Sequence, residues 1–434
     1  MTTRSWLVWG WVFGAGCTGG GDPKDTPTDD TETGGTGGTG DTGETTTDET
    51  GTGTSVHFDV VADATTICGS AADCLGGTAL AVAADGVAVA AWVHDGDSTD
   101  AVVEFSTSDG STHWSAPRTL GPAGDLWAID QVDLSVDPVT GAWMACWSES
   151  PGTGQGAIHV ATSTDRGATW ADEEVAALGE LQPAHVDCDA LGGAMALAYS
   201  RTGQTGLVVR PADASSWTTV PVNAGFDLAN GAVAVALRPA DGLPFVAFFD
   251  EPPAPTSYDR SVYLWSPGAG GPVAVTSSGG RQSDAFEVDL RFDGPRSWLS
   301  VQLEVEGSDD SIWLMSSDDQ ATWSDEAPIH EDGGQEFGGA GVAGGMDLSV
   351  AGGRVSLGLQ VVGATSGNPQ CASPKLVDST DGVTFDPCNL TDAAENMAGF
   401  GMQIGEDATG RRQALFLAAD PYGALPPGVL HWIE

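Results

Sequence analysis

VDLSVDPVTGAWMACW, residues 132–147, is an apolar strand, a tight turn built from Asp, Pro and Gly, and a second apolar strand. That is the signature of a β-hairpin. The pattern returns as TALAVAADGVAVAAWV (78–93), VDCDALGGAMALAY (186–199) and VAVALRPADGLPFVAFF (233–249). It returns again as VDLRFDGPRSWLSVQL (288–303), MDLSVAGGRVSLGLQV (346–361) and MQIGEDATGRRQALFL (402–417). Six of the seven copies run on into a third strand and a turn leading to a fourth, at a period of roughly 40 to 60 residues. Four-stranded units at this spacing predict a β-propeller. The last unit ends with GVLHWIE and lacks a fourth strand, which VHFDVVA (56–62) can supply. A strand borrowed from the opposite terminus would remove an exposed sheet edge. The expectation is an all-β, seven-bladed propeller of four-stranded antiparallel blades over 56–434, with six blades as the alternative.

Composition narrows the partners. The chain has 61 acidic against 15 basic side chains, a net charge of -46. Nucleic acid and anionic lipid surfaces both require positive charge, so neither is an expected partner. A hydrophobic fraction of 41% leaves ample material for a core.

The first 17 residues have a different character. MTTR carries one positive charge, WLVWGWVFGAG is a short apolar run, and Cys17 follows small residues. The layout is that of a secretory signal, too short to span a membrane. GAGC resembles the lipobox of bacterial lipoproteins, in which the cysteine becomes the lipidated first residue. It departs from that pattern at Gly14, where leucine is usual, so cleavage without lipidation stays open. Thr18 in place of aspartate resembles an outer-membrane sorting signal. Residues 18–55, including GGTGGTGDTGETTTDETGTGTS, hold no large apolar side chain, and such a segment is expected to be a disordered tether. Its r.m.s. reach is roughly 35 Å.

A second motif lies between the third and fourth strands. STDRGATW (163–170) is echoed by SSDDQATW (316–323), TSDGSTHW (107–114) and STDGVTF (379–385). Asp165 can accept backbone N–H groups inside such a turn, Gly167 permits a positive φ, and Trp170 can pack beneath it. Asp109, Asp318 and Asp381 are expected to act alike. These stretches resemble the Asp-box repeats of sialidase-like (BNR) propellers. The resemblance implies a structural role, on the face opposite the ligand site.

Without Cys17, six cysteines remain, an even number in a chain read as exported. Cys371 and Cys388 flank the turn of STDGVTF symmetrically and are expected to bridge. Cys68 and Cys74 are close in one loop and are expected to pair. Cys146 and Cys188 lie on strands of neighbouring blades, as an inter-blade bridge or as two buried thiols.

In a four-stranded blade the loops alternate between faces. Arg166, Arg210, Arg238, Arg296, Arg354, Arg411 and Arg412 map to the Asp-box face. Arg201, Arg260 and Arg281 map to the opposite, upper face, with Arg291 on an inner strand beneath, and with Glu251, Tyr258 and Asp259 nearby. A sialidase resemblance implies arginines gripping a substrate carboxylate, a tyrosine nucleophile activated by Glu251, and Asp259 as the acid. The family's F/Y-R-I-P motif is absent, and residues 56–117 contain no arginine. A second constellation is the inner-strand aspartate: Asp133, Asp187, Asp289 and Asp347, with Gln403 at the same place in the last unit. Four converging carboxylates must be protonated, bonded to backbone amides of the neighbouring blade, or shared by a cation such as Ca²⁺. His94, His185 and His330 map to the upper face without a transition-metal spacing, and no other cofactor is indicated.

The functional expectation is a monomeric, non-catalytic propeller, anchored at the outer membrane, that binds glycan or a surface protein through its upper face. The alternative is a sialidase-type glycoside hydrolase. Cys17→Ser is expected to move the chain from the membrane to the soluble fraction on cell fractionation. A wild-type chain found wholly soluble with an unmodified N-terminus would contradict the anchor.

Overall fold

Alternating apolar residues bounded by Gly, Asp and Pro become strands throughout, and the turns between first and second strands are tight. In a computed structural model the described residues are 58–63, 77–94, 102–111, 113–122, 132–149, 156–178, 185–201, 204–222, 232–250, 261–275, 283–305, 311–324, 327–328, 330–331, 335–336, 342–362, 372–389, 398–419 and 428–433. The expected signal, tether, Cys17, Cys68, Cys74 and Cys371 lie outside them, as does the side chain of Cys388.

Six sheets are each built from four consecutive antiparallel strands. Their inner strands are Thr78–Val82, Val132–Val136, His185–Leu191, Val233–Leu237, Ser283–Asp293 and Val342–Ala351. A seventh sheet is composite: Ala398–Glu406, Arg412–Ala419 and Gly428–Ile433 are completed by Phe58–Asp63. Phe58 stands opposite Trp432 and Asp63 opposite Gly428. Inner strands neighbour one another in chain order, and the last neighbours the first, so the arrangement closes as a β-propeller.

The expectation of uniform four-stranded blades needs correction. The outermost strands of the fourth and fifth sheets shrink to Val273–Ala274 and Ala327–Pro328. A further, two-stranded sheet pairs His330–Glu331 with Gln335–Glu336, outside the four-stranded scheme. Composition explains both. PGAGGP before Val273 and Pro328 itself interrupt the ladders, and Asp332-Gly333-Gly334 is hairpin-turn chemistry.

Side chains from facing sheets fill the gaps between them. The seam between the first two sheets buries Val89, Ala91, Phe105, Trp143 and Trp147. The seam between the fourth and fifth buries Phe245, Phe249, Leu290, Leu299 and Met315. At roughly 1.5–3 kcal/mol for each large apolar side chain fully buried, these seams dominate cohesion.

The turns after the third strands are held from within. Ser163 Oγ accepts the Gly167 N–H at 2.9 Å and donates to Asp165 Oδ1 at 2.8 Å. Asp165 accepts the Thr169 N–H at 2.8 Å and its hydroxyl at 2.6 Å. The Thr169 hydroxyl leads the contacts that hold the Asp165 carboxyl down at about 2. Ser379 and Asp381 repeat the scheme around Gly382, Val383 and Thr384. In the first sheet Asp109 accepts the Ser111 N–H at 3.1 Å.

One expected turn residue is corrected. Asp319, not Asp318, accepts the Ala321 and Thr322 N–H groups, at 2.9 and 2.7 Å. Asp318 pairs outward with Arg296 at 2.8 Å. Both Ser316–Asp318 and Ser317–Asp319 satisfy the local spacing, and the chain adopts the latter, in the register of Ser379–Asp381. Gln320 then takes the left-handed position with φ 57. Its side chain is tied to Pro295 O at 2.9 Å and to Arg238 at 3.3 Å, which offsets the strain of a non-glycine residue there.

Candidate functional site, an acidic axial pocket

Each inner strand has one edge paired to its own sheet and another whose N–H groups face the preceding sheet around the axis. Along that second edge backbone N–H groups need acceptors, because a buried unpaired N–H costs about as much as a lost hydrogen bond. The acceptors are the inner-strand carboxylates. Asp133 Oδ2 takes the Cys188 N–H at 2.8 Å, and Asp187 Oδ2 takes that of Val235. Asp289 Oδ2 takes the Leu348 N–H at 2.8 Å, and Asp347 Oδ2 takes that of Ile404 at 2.6 Å. All four expected aspartates therefore reach across to the following sheet.

Two carboxylates that sequence reading did not single out extend the ladder. Asp189 Oδ2 accepts Leu237 N–H at 2.7 Å, and Glu287 Oε2 accepts that of Met346. Their signal was present as alternation, Asp-x-Asp at 187–189 and Glu-x-Asp at 287–289. Side chains two apart share a face of the strand, so one carboxylate per rung follows from strand geometry.

Asp133, Asp187, Glu287, Asp289 and Asp347 line a solvent-open axial cavity of about 70 Å³, together with Thr78, His185, Arg291 and Gln403. The lining comes from the beginnings and middles of the inner strands, which places the mouth on the upper face, where the strands start. Arg291 reaches Asp289 at 2.8 Å and Asp347 at 3.5 Å. It was expected to contact a ligand; within the wall it pairs with these two carboxylates. Burial alone would lower its affinity for a proton, yet the four surrounding aspartates raise it.

The carboxyls also lie close enough to act on one another electrostatically. Burial pushes the Asp187 and Asp347 carboxyls well above the usual range, and the facing Asp133 and Asp289 charges push further the same way. Burial also raises Asp133 and Asp189. Burial and like charge thus act together to disfavour ionisation along this wall, as expected when carboxylates share a low-dielectric site. One oxygen of each of the four aspartates is spent on a neighbouring amide.

The other expected residues are distributed as follows. Tyr258, Glu251, Asp259, Arg260 and Arg281 lie outside the described residues, as does the side chain of Arg201. Cys146 and Cys188 are buried free thiols in this structure. The arginines of the lower face stitch sheets together. Arg118 donates to Gly167 O at 2.7 Å, Arg166 pairs with Asp85 at 2.8 Å, and Arg354 donates to Gly410 O at 2.7 Å.

No protein-family model matches the chain, and no curated protein matches it. Among solved structures, an ulvan lyase of polysaccharide lyase family PL25, bound to -[GlcA(1-4)Rha3S]-, aligns with TM-score 0.54 and 10% identity, over 81% of this chain and 90% of that one. An α-L-arabinofuranosidase from Fusarium graminearum aligns with TM-score 0.46 and 12% identity, over 83% and 93%. The NanB sialidase from Streptococcus pneumoniae aligns with TM-score 0.44 and 11% identity, over 87% and 70%. What this chain shares with them is the β-propeller fold.

The pH dependence of the latches follows in sign. A carboxyl whose folded pKa is raised takes up a proton on folding, so its contribution is full below about pH 4 and is lost as pH rises through the folded value. Asp347→Asn keeps an acceptor for Ile404 and removes the titration. It is expected to match or exceed wild-type stability at pH 7 and to flatten the stability–pH curve above pH 4. Asp347→Ala leaves the Ile404 N–H unpaired and is expected to cost about 1–3 kcal/mol. Urea unfolding of both variants from pH 4 to 8 checks this.

Proposed function

We propose that this chain is an extracytoplasmic glycan-recognition propeller that takes a sugar chain at the mouth of its axial pocket. The observation that carries the reading is the pocket itself: a concave, solvent-open cavity walled by carboxyls, an amide and a histidine from successive sheets. Sugars present many hydroxyl groups at close spacing, and a wall of convergent acceptors and donors is matched to them. The ulvan lyase likeness supports a propeller that can host a polysaccharide. In this reading Cys17 anchors the chain, residues 18–55 hold it off the membrane, and Asp109, Asp165 and Asp381 belong to Asp-box turns that serve as frame.

A second reading, glycoside cleavage, is favoured by one specific observation. Burial and the facing Asp133 charge push the Asp187 carboxyl well above its usual range at the pocket wall, the direction that a leaving-group acid requires. A sialidase-type centre would add Tyr258, Glu251, Asp259, Arg201, Arg260 and Arg281 from the upper face.

Calorimetric titration with neutral, amino and acidic oligosaccharides tests the binding reading. One or more is expected to bind, with Gln403→Ala weakening it roughly 2- to 12-fold, as for loss of one hydrogen bond. Arg166→Ala, on the opposite face, is expected to leave affinity unchanged. Equal losses from both variants, or binding to no glycan, would overturn the assignment. Turnover of a fluorogenic sialoside, abolished by Tyr258→Phe, would establish the second reading in place of the first.

A further inference from the structure

Two thiols meet across the seam between the second and third sheets. Cys146 stands opposite Asp133 in the second sheet, and Cys188 lies on the inner strand of the third. Both are buried. Their Sγ atoms and a carboxylate oxygen of Asp133 all lie within 4.8 Å of one another. Cys188 Sγ donates to Asp133 O at 3.7 Å. The corresponding positions elsewhere hold other residues. Ala198 and Val235 take them between the third and fourth sheets, Ser300 and Leu348 between the fifth and sixth. A sulfur pair is therefore not a requirement of the propeller seam.

We propose that Cys146 and Cys188 form an oxidation site, closing to a disulfide that joins the second and third sheets behind the axial pocket, with its redox state set as the two sheets dock. The oxidant is a small or protein disulfide. One thiol, after losing its proton, attacks a sulfur of that disulfide and expels one reduced thiol. The second cysteine, also deprotonated, then attacks the mixed disulfide and expels the other. The chain loses two electrons and two protons, and the oxidant leaves as two thiols.

Burial explains why the state becomes fixed. It pushes the Cys146 thiol up to about 12 and the Cys188 thiol well above its ordinary value. Thiolate is the attacking species, so the folded dithiol exchanges only when the seam opens. Folded chains then exist as two long-lived forms, bridged and unbridged. The bridged form restrains the 146–188 loop in the unfolded chain and resists unfolding more strongly.

The test is refolding of the full chain in a glutathione redox buffer and, separately, in dithiothreitol, followed by non-reducing peptide mapping. The 146–188 cross-linked peptide is expected only after oxidative refolding. The folded dithiol, given glutathione disulfide afterwards, is expected to stay unbridged until urea approaches its unfolding midpoint. The bridged form is expected to melt roughly 4–8 °C higher. Cys146→Ala, which keeps a small apolar side chain, is expected to abolish that difference. If Cys146→Ala fails to fold, Cys188→Ala carries the same comparison. Absence of the cross-linked peptide after oxidative refolding would overturn the proposal, as would rapid bridging of the folded dithiol. Retention of one zinc ion by the dithiol through dialysis would also overturn it, assigning Asp133, Cys146 and Cys188 to a soft-metal site.

Discussion

A propeller has an edge problem at its centre. Each inner strand bonds to its own sheet on one side only, and its other row of N–H groups faces the neighbouring sheet near the axis. Carboxylates projecting from the preceding inner strand accept those N–H groups at four seams. Asp133 serves Cys188, Asp187 and Asp189 serve Val235 and Leu237, Glu287 and Asp289 serve Met346 and Leu348, and Asp347 serves Ile404. Turn residues add to this. Asp137 accepts from Gly192 and Gly193 of the next sheet at 2.8 and 2.6 Å. Where carboxylates are lacking, other glue takes over. Ala79 and Ala234 stand at the matching places, and the seams after them are packed by large apolar clusters.

The same device creates the chemistry of the pocket. Bringing carboxylates together around an axis is unfavourable unless protons or a cation share the charge. Here burial and the facing charges push the Asp187 and Asp347 carboxyls well above their usual range, and Arg291 lies between Asp289 and Asp347. Asp133, Asp187, Glu287, Asp289 and Asp347 serve both as seam latch and as pocket lining. A ligand entering the pocket meets groups already occupied on one side by backbone, leaving the remaining lone pairs and protons for recognition. Any change that strips a carboxylate from this wall acts on stability and on the pocket together.

Much of this was legible in the sequence, because it is periodic. VDL, VDC, VDL and MDL mark both the strand and the aspartate at a fixed place, so strand order, the borrowed N-terminal strand and the inner aspartates could be read directly. What failed was non-periodic or degenerate. Asp318 and Asp319 fit the same local pattern, and only the three-dimensional turn distinguishes them. The pairing of Arg291 was equally illegible, because the carboxylates that meet it come from two different sheets. The two-stranded addition at 330–336 follows no repeat at all.

The latch is tested most directly by amide hydrogen exchange at Cys188, Val235, Leu348 and Ile404. These N–H groups lie on strand edges, so without a side-chain acceptor they would exchange as edge amides do. Protection close to that of the strand interiors is predicted for all four, with loss at Ile404 alone in Asp347→Ala and retention in Asp347→Asn. Rapid exchange at these four amides in the wild-type chain, or an unchanged Ile404 in Asp347→Ala, would contradict the account.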